Sequence, residues 1–200
     1  MNPGIPVFPG PSNDPDGPLV AAALGGDGRA FGRLVERLRD RVYRFILRKV
    51  NNVQDAEDLT QDTFLEIYAK LGNYRGASRF STWVIGVALN LSRNHVTRRP
   101  ERRYRMESTD ELGDMTDNSA GPHEQARSHA FATAVTSAMD TLGEEAREAL
   151  QLVTLEELDY QEAAEIAGIP VNTMKTRVYR ARKALREAMH TAGQEDFLDP

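Results

Sequence analysis

The charge of this chain changes sign abruptly near its C-terminal end, on either side of one short break. Residues 144–165 carry eight acidic side chains and one basic side chain. Residues 170–189 carry six basic side chains and no acidic one before Glu187. The break is AGIP at residues 167–170, where glycine favours a left-handed turn and proline resists continuation of a helix. Two helices of opposite charge joined by such a turn are typical of a helix-turn-helix, a motif that places its second helix on DNA.

Helical spacing divides residues 171–185 into an apolar face and a polar face. The apolar side chains are Val171, Met174, Val178, Ala181 and Leu185. We expect them to pack on Leu155, Leu158, Ala164 and Ile166. The polar face predicts contacts both to base edges and to phosphates. Candidates for the bases are Asn172, Lys175, Thr176, Tyr179 and Arg180, and candidates for the phosphates are Arg177, Arg182 and Lys183. The alternative is a solvated basic face on an ordinary bundle helix.

The composition leaves a nucleic-acid partner open and gives no support to an enzyme. The net charge is -5, but acidic and basic side chains are segregated along the chain, and local fields govern docking. The sequence has no cysteine, which fits a reducing cytoplasm, and its four histidines are scattered. It shows no glycine-rich phosphate loop, no nucleophile–base signature and no long apolar run. We therefore predict no cofactor, no metal, no catalytic residue and no membrane insertion.

The hydrophobic spacing predicts an all-α chain with two small helical domains. Residues 1–18 contain six prolines and three glycines, which predicts a disordered tail. The first domain is predicted to span residues 19–105, and the second, which holds the helix-turn-helix, residues 124–190. Between them, residues 106–123 are acidic and lack an apolar period, which predicts a flexible linker. Residues 191–200 are predicted to form a short C-terminal tail.

Capping residues and apolar spacing place the individual helices. Three helices are predicted in the first domain, capped by Asp27, Asp55 and Ser81 and ending near residues 51, 71 and 98. The second of them has an apolar stripe formed by Ala56, Leu59, Thr63, Phe64, Ile67 and Leu71. The helices of the second domain are predicted at residues 124–141, 144–155, 160–167 and 171–189.

Away from its apolar stripe, the second helix carries Asp58, Asp62 and Leu65, with Gln61 and Glu66 at the edges. A leucine among carboxylates on a polar face predicts a protein partner with a basic, partly apolar groove. The alternative is a solvated helix with one stray leucine.

Six arginines lie between residues 93 and 105, against one acidic residue. Arginine forks beside aromatic side chains bind nucleic-acid backbones and hold unstacked bases. On the third helix, Asn90, Arg93 and Thr97 share a stripe with Asn94 at its edge. The nearby aromatic residues are Tyr74, Phe80 and Trp83. Core packing is the favoured interpretation for Phe80 and Trp83, and both interpretations stay open for Tyr74.

Three segments, in this order, resemble the sigma factors of bacterial RNA polymerase, specifically the extracytoplasmic-function (ECF) group. DAEDLTQDTFLEIYAKL at residues 55–71 resembles the polymerase-binding helix of that family. NYRGASRFSTWVIGVALNLSRNHVTRR at residues 73–99 resembles the part that melts and reads the minus-ten promoter element. LDYQEAAEIAGIPVNTMKTRVYRARKAL at residues 158–185 resembles the helix-turn-helix that reads the minus-thirty-five element.

The resemblance implies a role for each set of residues. Contacts to core RNA polymerase are implied for Asp58, Gln61, Asp62 and Leu65. Contacts to minus-ten DNA are implied for Tyr74, Asn90, Arg93, Asn94, Arg98 and Arg99, with Tyr74 and Asn90 holding a flipped base. Contacts to minus-thirty-five DNA are implied for Asn172, Lys175, Thr176, Arg177, Tyr179, Arg180, Arg182 and Lys183. The resemblance also implies an anti-sigma factor as a partner.

Two departures from the family pattern bear on promoter preference. Gly86 stands where many relatives have a basic residue, and Asn172 belongs to an Asn-Thr-Met run in place of the usual Gly-Thr-Val. The alternative function is a stand-alone helix-turn-helix regulator of transcription, with the first domain as a sensor or dimerisation module. Such a regulator has no need for an exposed acidic face with a leucine.

Overall fold

A computed structural model describes residues 14–98, 137–139 and 141–191. The chain divides into two compact units between residues 107 and 108. The helices of the first unit are α1 (Gly17–Leu24), α2 (Gly28–Val50), α3 (Val53–Lys70) and α4 (Phe80–Arg98). Those of the second unit are α5 (Glu144–Leu150), α6 (Tyr160–Ala167) and α7 (Val171–Thr191). All regular structure in the described residues is helical, which agrees with the predicted all-α class.

The first unit is built around α2, α3 and α4, with α1 packed on α2. Its largest fully buried side chains include Leu34, Val42, Phe45, Ile46, Ile67, Phe80, Val84, Ile85 and Leu89. The predicted stripe of α3 is confirmed, because all six of its members are buried. Asp27 caps α2 as predicted, accepting the backbone N–H groups of Arg29 and Ala30. A 3-10 turn, Leu71–Asn73, and a loop over residues 74–79 connect α3 to α4.

Three sequence expectations for the first unit are wrong in detail. The sequence predicts a disordered tail through residue 18, but Asp14 and Asp16 are buried and lead into α1, a helix that the apolar spacing does not predict. Helix α3 is capped by Asn52, because its side chain accepts the N–H of Asp55 and Asp55 itself is a buried first-turn residue. Helix α4 begins at Phe80, so its neighbour Ser81 lies inside the helix.

The second unit contains the predicted helix-turn-helix. Asp159 and Glu162 form a capping box at the start of α6. Gly168 ends α6 in the left-handed region, with φ 69°, and the Ile169 N–H donates to the Ala164 carbonyl at 3.0 Å. These two features define a Schellman turn, which leads through Pro170 into α7. The tight break seen in the sequence therefore has a defined geometry.

The apolar face of α7 is confirmed at its centre. Met174, Val178 and Ala181 are fully buried, whereas Val171 and Leu185 are partly buried. Leu155 was expected to cover this face, but its side chain is 49% exposed. The difference arises because α5 ends at Leu150 and the chain continues as a π-helical turn over Gln151–Leu155, which changes the direction of the later side chains.

Several predictions fall on residues outside the described part of the chain. These are Arg99, the linker at residues 106–123, most of the helix at residues 124–141, and the terminal residues 1–13 and 192–200.

Candidate nucleic-acid and protein interfaces

Helix α7 presents a continuous polar face to solvent. The exposed candidates on it are Asn172, Lys175, Thr176, Tyr179, Arg180, Arg182 and Lys183. The Tyr179 side chain is the most exposed large apolar group in the described residues, at 69%. The Thr176 hydroxyl donates to the Asn172 carbonyl one turn earlier, at 2.9 Å, and so is held against its own helix. Met174, Val178 and Ala181, buried on the opposite side of α7, fix the orientation of this face.

Arg177 is paired with an acidic side chain of another helix, whereas Lys183 lies 3.7 Å from Glu187 of its own helix. The Arg177 Nη2 atom lies 2.6 Å from Glu145 Oε2 at the start of α5. The Arg177 side chain is 22% exposed, whereas that of Glu145 is 75% exposed. This contact orients the guanidinium and also places a negative charge beside the basic face.

Helix α3 presents the predicted acidic face around Leu65. Asp58, Gln61 and Asp62 are exposed, and the Leu65 side chain is 60% exposed. The sequence analysis missed Tyr68, which is 63% exposed and packs edge-on against Phe31 at 5.0 Å between ring centroids. Its position three residues after Leu65 is the signal that could have identified it.

Tyr74 lies inside the first unit, with its residue surface 5% exposed. Its ring centroid is 5.4 Å from those of both Phe80 and Trp83, and Phe80 meets it edge-on. Its hydroxyl donates to the Ser78 carbonyl at 2.7 Å. Burial raises the pKa of this phenol well above its ordinary value, and the Asp14 carboxylate raises the pKa further, so the hydroxyl keeps the proton that it donates. In this conformation the ring offers no face for stacking on a base.

The remaining minus-ten candidates are spread along α4. Asn90, Asn94 and Arg98 are exposed, Arg93 is partly exposed, and Arg99 is outside the described residues. Gly86 lies on the same helix and is partly buried. The structure therefore brings the exposed amides and arginines onto one helix, and it separates them from the buried ring of Tyr74.

An N-terminal turn at residues 14–16, which the sequence does not predict, contacts Tyr74 and the start of α4. Asp14 Oδ2 accepts the backbone N–H of Phe80 at 2.7 Å and lies 3.4 Å from the Tyr74 hydroxyl. Asp14 Oδ1 accepts the N–H of Asp16 at 3.0 Å. The signal in the sequence is the pair of aspartates next to a proline just before α1, a composition typical of helix starts.

The neighbouring carboxylate of Asp16 is buried beside an arginine of α2. Its Oδ1 atom forms an ion pair with Arg37 Nη1 at 3.1 Å and accepts no hydrogen bond from the described residues. Burial raises the pKa of Asp16, and the Arg37 charge opposes that rise. Arg37 Nη1 also lies 3.5 Å from the Pro15 carbonyl. These contacts anchor the turn on α2.

Two further findings concern what the described residues lack. No group of three or more His, Asp or Glu side chains among them is arranged to hold a metal ion. No helix among them combines the length and apolar character needed to cross a membrane.

Comparisons with known proteins identify the family. Residues 34–102 match the family model for sigma-70 region 2, and residues 132–185 match that for sigma-70 region 4. The RNA polymerase sigma-H factor of Pseudomonas aeruginosa is 34% identical over 185 residues, covering 89% of this chain and 95% of the relative. The ECF RNA polymerase sigma-E factor of Haemophilus influenzae is 31% identical over 176 residues, covering 85% and 93%.

Solved structures agree with this assignment. CnrH, in complex with the cytosolic domain of CnrY, is 26% identical and has a TM-score of 0.62, covering 86% of this chain and 96% of that chain. The sigma factor RpoE of Bartonella quintana, in complex with the anti-sigma factor NepR, shares the fold at 23% identity and a TM-score of 0.60, covering 80% and 96%. This chain therefore belongs to the ECF sigma factors of the sigma-70 family, which direct bacterial RNA polymerase to promoters.

Proposed function

We propose a division of labour among three surfaces of this sigma factor. The exposed face of α3 docks on core RNA polymerase, α7 reads the minus-thirty-five element as duplex, and the 74–79 loop with α4 captures bases of the melted minus-ten element. The proposal rests on the separation of faces on each helix. The candidates on α3 are exposed, as are those on α7 other than the partly buried Arg177, while the apolar stripe of each helix is buried or partly buried within its own unit. Polar side chains that the fold does not require for its own stability are available to contact partners.

On α3, the proposed docking surface combines charge with one apolar anchor. Asp58 and Asp62 would meet basic side chains of the polymerase, and Leu65 would enter an apolar groove between them. A leucine that is 60% exposed gains a substantial part of its burial energy, about 1.5–3 kcal/mol when complete, only in a complex. Charged neighbours around an apolar anchor are typical of protein interfaces with a polar rim.

On α7, the N-terminal half of the helix would enter the major groove. Asn172, Lys175 and Arg180 carry donors that suit base edges, and Arg182 and Lys183 suit phosphates. The Schellman turn and the buried face of the helix hold these side chains in a fixed register.

The protein has no proposed chemistry of its own. Catalysis belongs to the polymerase, and the sigma factor contributes binding energy that favours the open promoter. We also propose that an anti-sigma factor holds this protein inactive in the cytoplasm. The complex of the Bartonella quintana sigma factor RpoE with the anti-sigma factor NepR supports that proposal.

A reconstituted transcription assay with core polymerase tests the function. The wild-type chain should stimulate promoter-specific initiation, and Leu65→Ala should weaken polymerase binding about tenfold or more, as removal of an interface anchor does. The matched control is Leu155→Ala, which removes an exposed leucine from the other unit. Equal polymerase binding by both variants would refute the docking assignment. A stand-alone regulator would instead bind its promoter tightly without polymerase and show no effect of Leu65→Ala.

A further inference from the structure

The geometry points to Asp14 as a positioning residue for minus-ten recognition: its carboxylate holds the 74–79 loop in the shape that receives the promoter strand. The inference rests on the proposed function of that loop. It assigns a role to an N-terminal turn that lies outside the segments of the chain that resemble DNA-reading elements.

Asp14 contacts the start of α4. The N–H groups in the first turn of a helix have no partner within the helix, and they prefer an anionic acceptor. For Phe80 that acceptor is Asp14 Oδ2, at 2.7 Å, from a residue 66 positions earlier in the chain. Both residues are buried, so water does not compete for this hydrogen bond.

Both ends of the 74–79 loop lie close to the Asp14 carboxylate. Tyr74, at the start of the loop, places its hydroxyl 3.4 Å from Asp14 Oδ2. The single hydroxyl proton is donated over the shorter distance, 2.7 Å, to the Ser78 carbonyl near the end of the loop. Between these ends Gly76 has φ 69°, a left-handed conformation that reverses the chain direction. Asp14, Tyr74 and Ser78 thus form a brace under the loop.

The brace leaves other residues of the loop exposed to solvent. The residues between its contacts, Arg75 and Ala77, are exposed, as is Arg79. The buried ring of Tyr74, together with Asp14, then sets the conformation of the loop. Exposed side chains of the loop and of α4 contact the DNA. The brace itself is anchored by the Asp16 N–H and by Arg37 of α2.

The decisive experiment measures base discrimination by the full chain in holoenzyme. A promoter series carries each of the four bases at every minus-ten position, and open-complex formation is measured for each. We expect Asp14→Ala to lower the ratio between the preferred and the next base about fivefold, within the range that loss of a helix-capping group produces. Asp14→Asn keeps an acceptor oxygen for the Phe80 N–H and should lose less than half of the discrimination.

Asp27→Ala is the matched control, because it also removes a capping aspartate from a helix of the first unit but does not contact the loop. It should change discrimination less than twofold. Discrimination that survives Asp14→Ala, or falls equally in Asp27→Ala, overturns the inference. Loss of polymerase binding in Asp14→Ala alone overturns it as well, since the carboxylate would then support docking.

Trypsin digestion of the full chain without polymerase separates the brace from the proposed function. Cleavage after Arg75 and Arg79, followed by mass spectrometry, should accelerate about fivefold in Asp14→Ala and remain unchanged in Asp27→Ala. Unchanged cleavage in Asp14→Ala refutes the brace. Failure of the wild-type chain to stimulate polymerase from any promoter refutes the proposed function, and with it the role in recognition, while the digestion result continues to report on the brace alone.

Discussion

Helix α7 and the 74–79 loop are both proposed to contact DNA, but different interactions hold their contact residues in place. On α7, recognition groups stand on one face of a helix whose other face is buried, so that folding of the helix exposes them in register. In the loop, Tyr74 is buried, and the backbone is held by a carboxylate from a distant part of the chain. A helix carries its recognition geometry within its own spacing, whereas a loop obtains it from residues elsewhere in the fold.

The largest expected effect tests whether the Tyr74 ring is a structural part of the loop. Tyr74→Ala should lower the free energy of unfolding of the first unit by about 3–5 kcal/mol, since it removes a buried aromatic ring. Tyr74→Phe should cost only about 0.5–1.5 kcal/mol, the value of a lost hydrogen bond. Denaturant unfolding followed by fluorescence of Trp83, the single tryptophan and a neighbour of Tyr74, reports both. If Tyr74→Ala unfolds with nearly the wild-type free energy, the ring is not a structural part of the loop, and the proposed difference between the loop and α7 is wrong.

The second effect tests the pre-formed face of α7. Arg180→Ala should weaken holoenzyme binding to a cognate duplex by about 1–3 kcal/mol and relax sequence preference at one base pair. Its stability should stay within about 0.5 kcal/mol of wild type, because Arg180 is exposed. Arg186→Ala, an exposed arginine on the same helix outside the candidate set, is the control. Fluorescence anisotropy with cognate and mismatched duplexes measures the affinity of both variants. Equal effects of Arg180→Ala and Arg186→Ala would refute the assignment of Arg180 to a base contact.

A third measurement tests the proposed contact of α4 with the minus-ten element. Asn90→Ala removes an exposed amide of α4 and should slow promoter opening about fivefold, the equivalent of one hydrogen bond. Duplex binding by the holoenzyme should persist. Permanganate reactivity of unpaired thymines measures opening, and Gln161→Ala, an exposed amide in the second unit, is the control. If Asn90→Ala opens promoters at the wild-type rate, recognition depends on the loop alone.

The smallest expected effect concerns the acidic partner of Arg177. Glu145→Gln should change stability by less than about 1 kcal/mol, because Glu145 is mostly exposed. It removes a negative charge next to the basic face, so affinity for duplex should rise about twofold to fivefold at low salt and less at high salt. The gain should be smaller in an Arg177→Ala background, because release of the Arg177 guanidinium no longer contributes to it. A gain of equal size in that background would mean that Glu145 acts without Arg177.

The sequence predicted those features that depend on local spacing. The α3 stripe, the Asp27 cap, the break at Gly168 and the buried centre of α7 each follow from residues within one or two turns. The exchange of Asp55 for Asn52 as the α3 cap could not be decided from the sequence, because both residues suit a cap and only tertiary packing buries Asp55. The position of Leu155 depended on a π-helical turn that has no strong sequence signature.

The structure around the 74–79 loop could not be predicted from local sequence patterns, for a different physical reason. Tyr74 stands between polar neighbours, which gives no indication that its ring is enclosed by Phe80 and Trp83. The Asp14 contact joins residues 66 positions apart, and no periodicity links them. Proline near Asp14 favoured disorder, whereas in the structure it belongs to a turn that leads into α1.

The separation between Asp14 and Phe80 also bears on the order in which the first unit acquires its structure. Contacts between α2 and α3 join neighbours in the chain and can form early, whereas the Asp14 contact closes a loop that spans nearly the whole unit. Closing a long loop carries a larger entropic cost and tends to come late. During synthesis, the Asp14 contact can therefore form only after α4 has left the ribosome, and the 74–79 loop is expected to be among the last parts of the unit to reach its native shape.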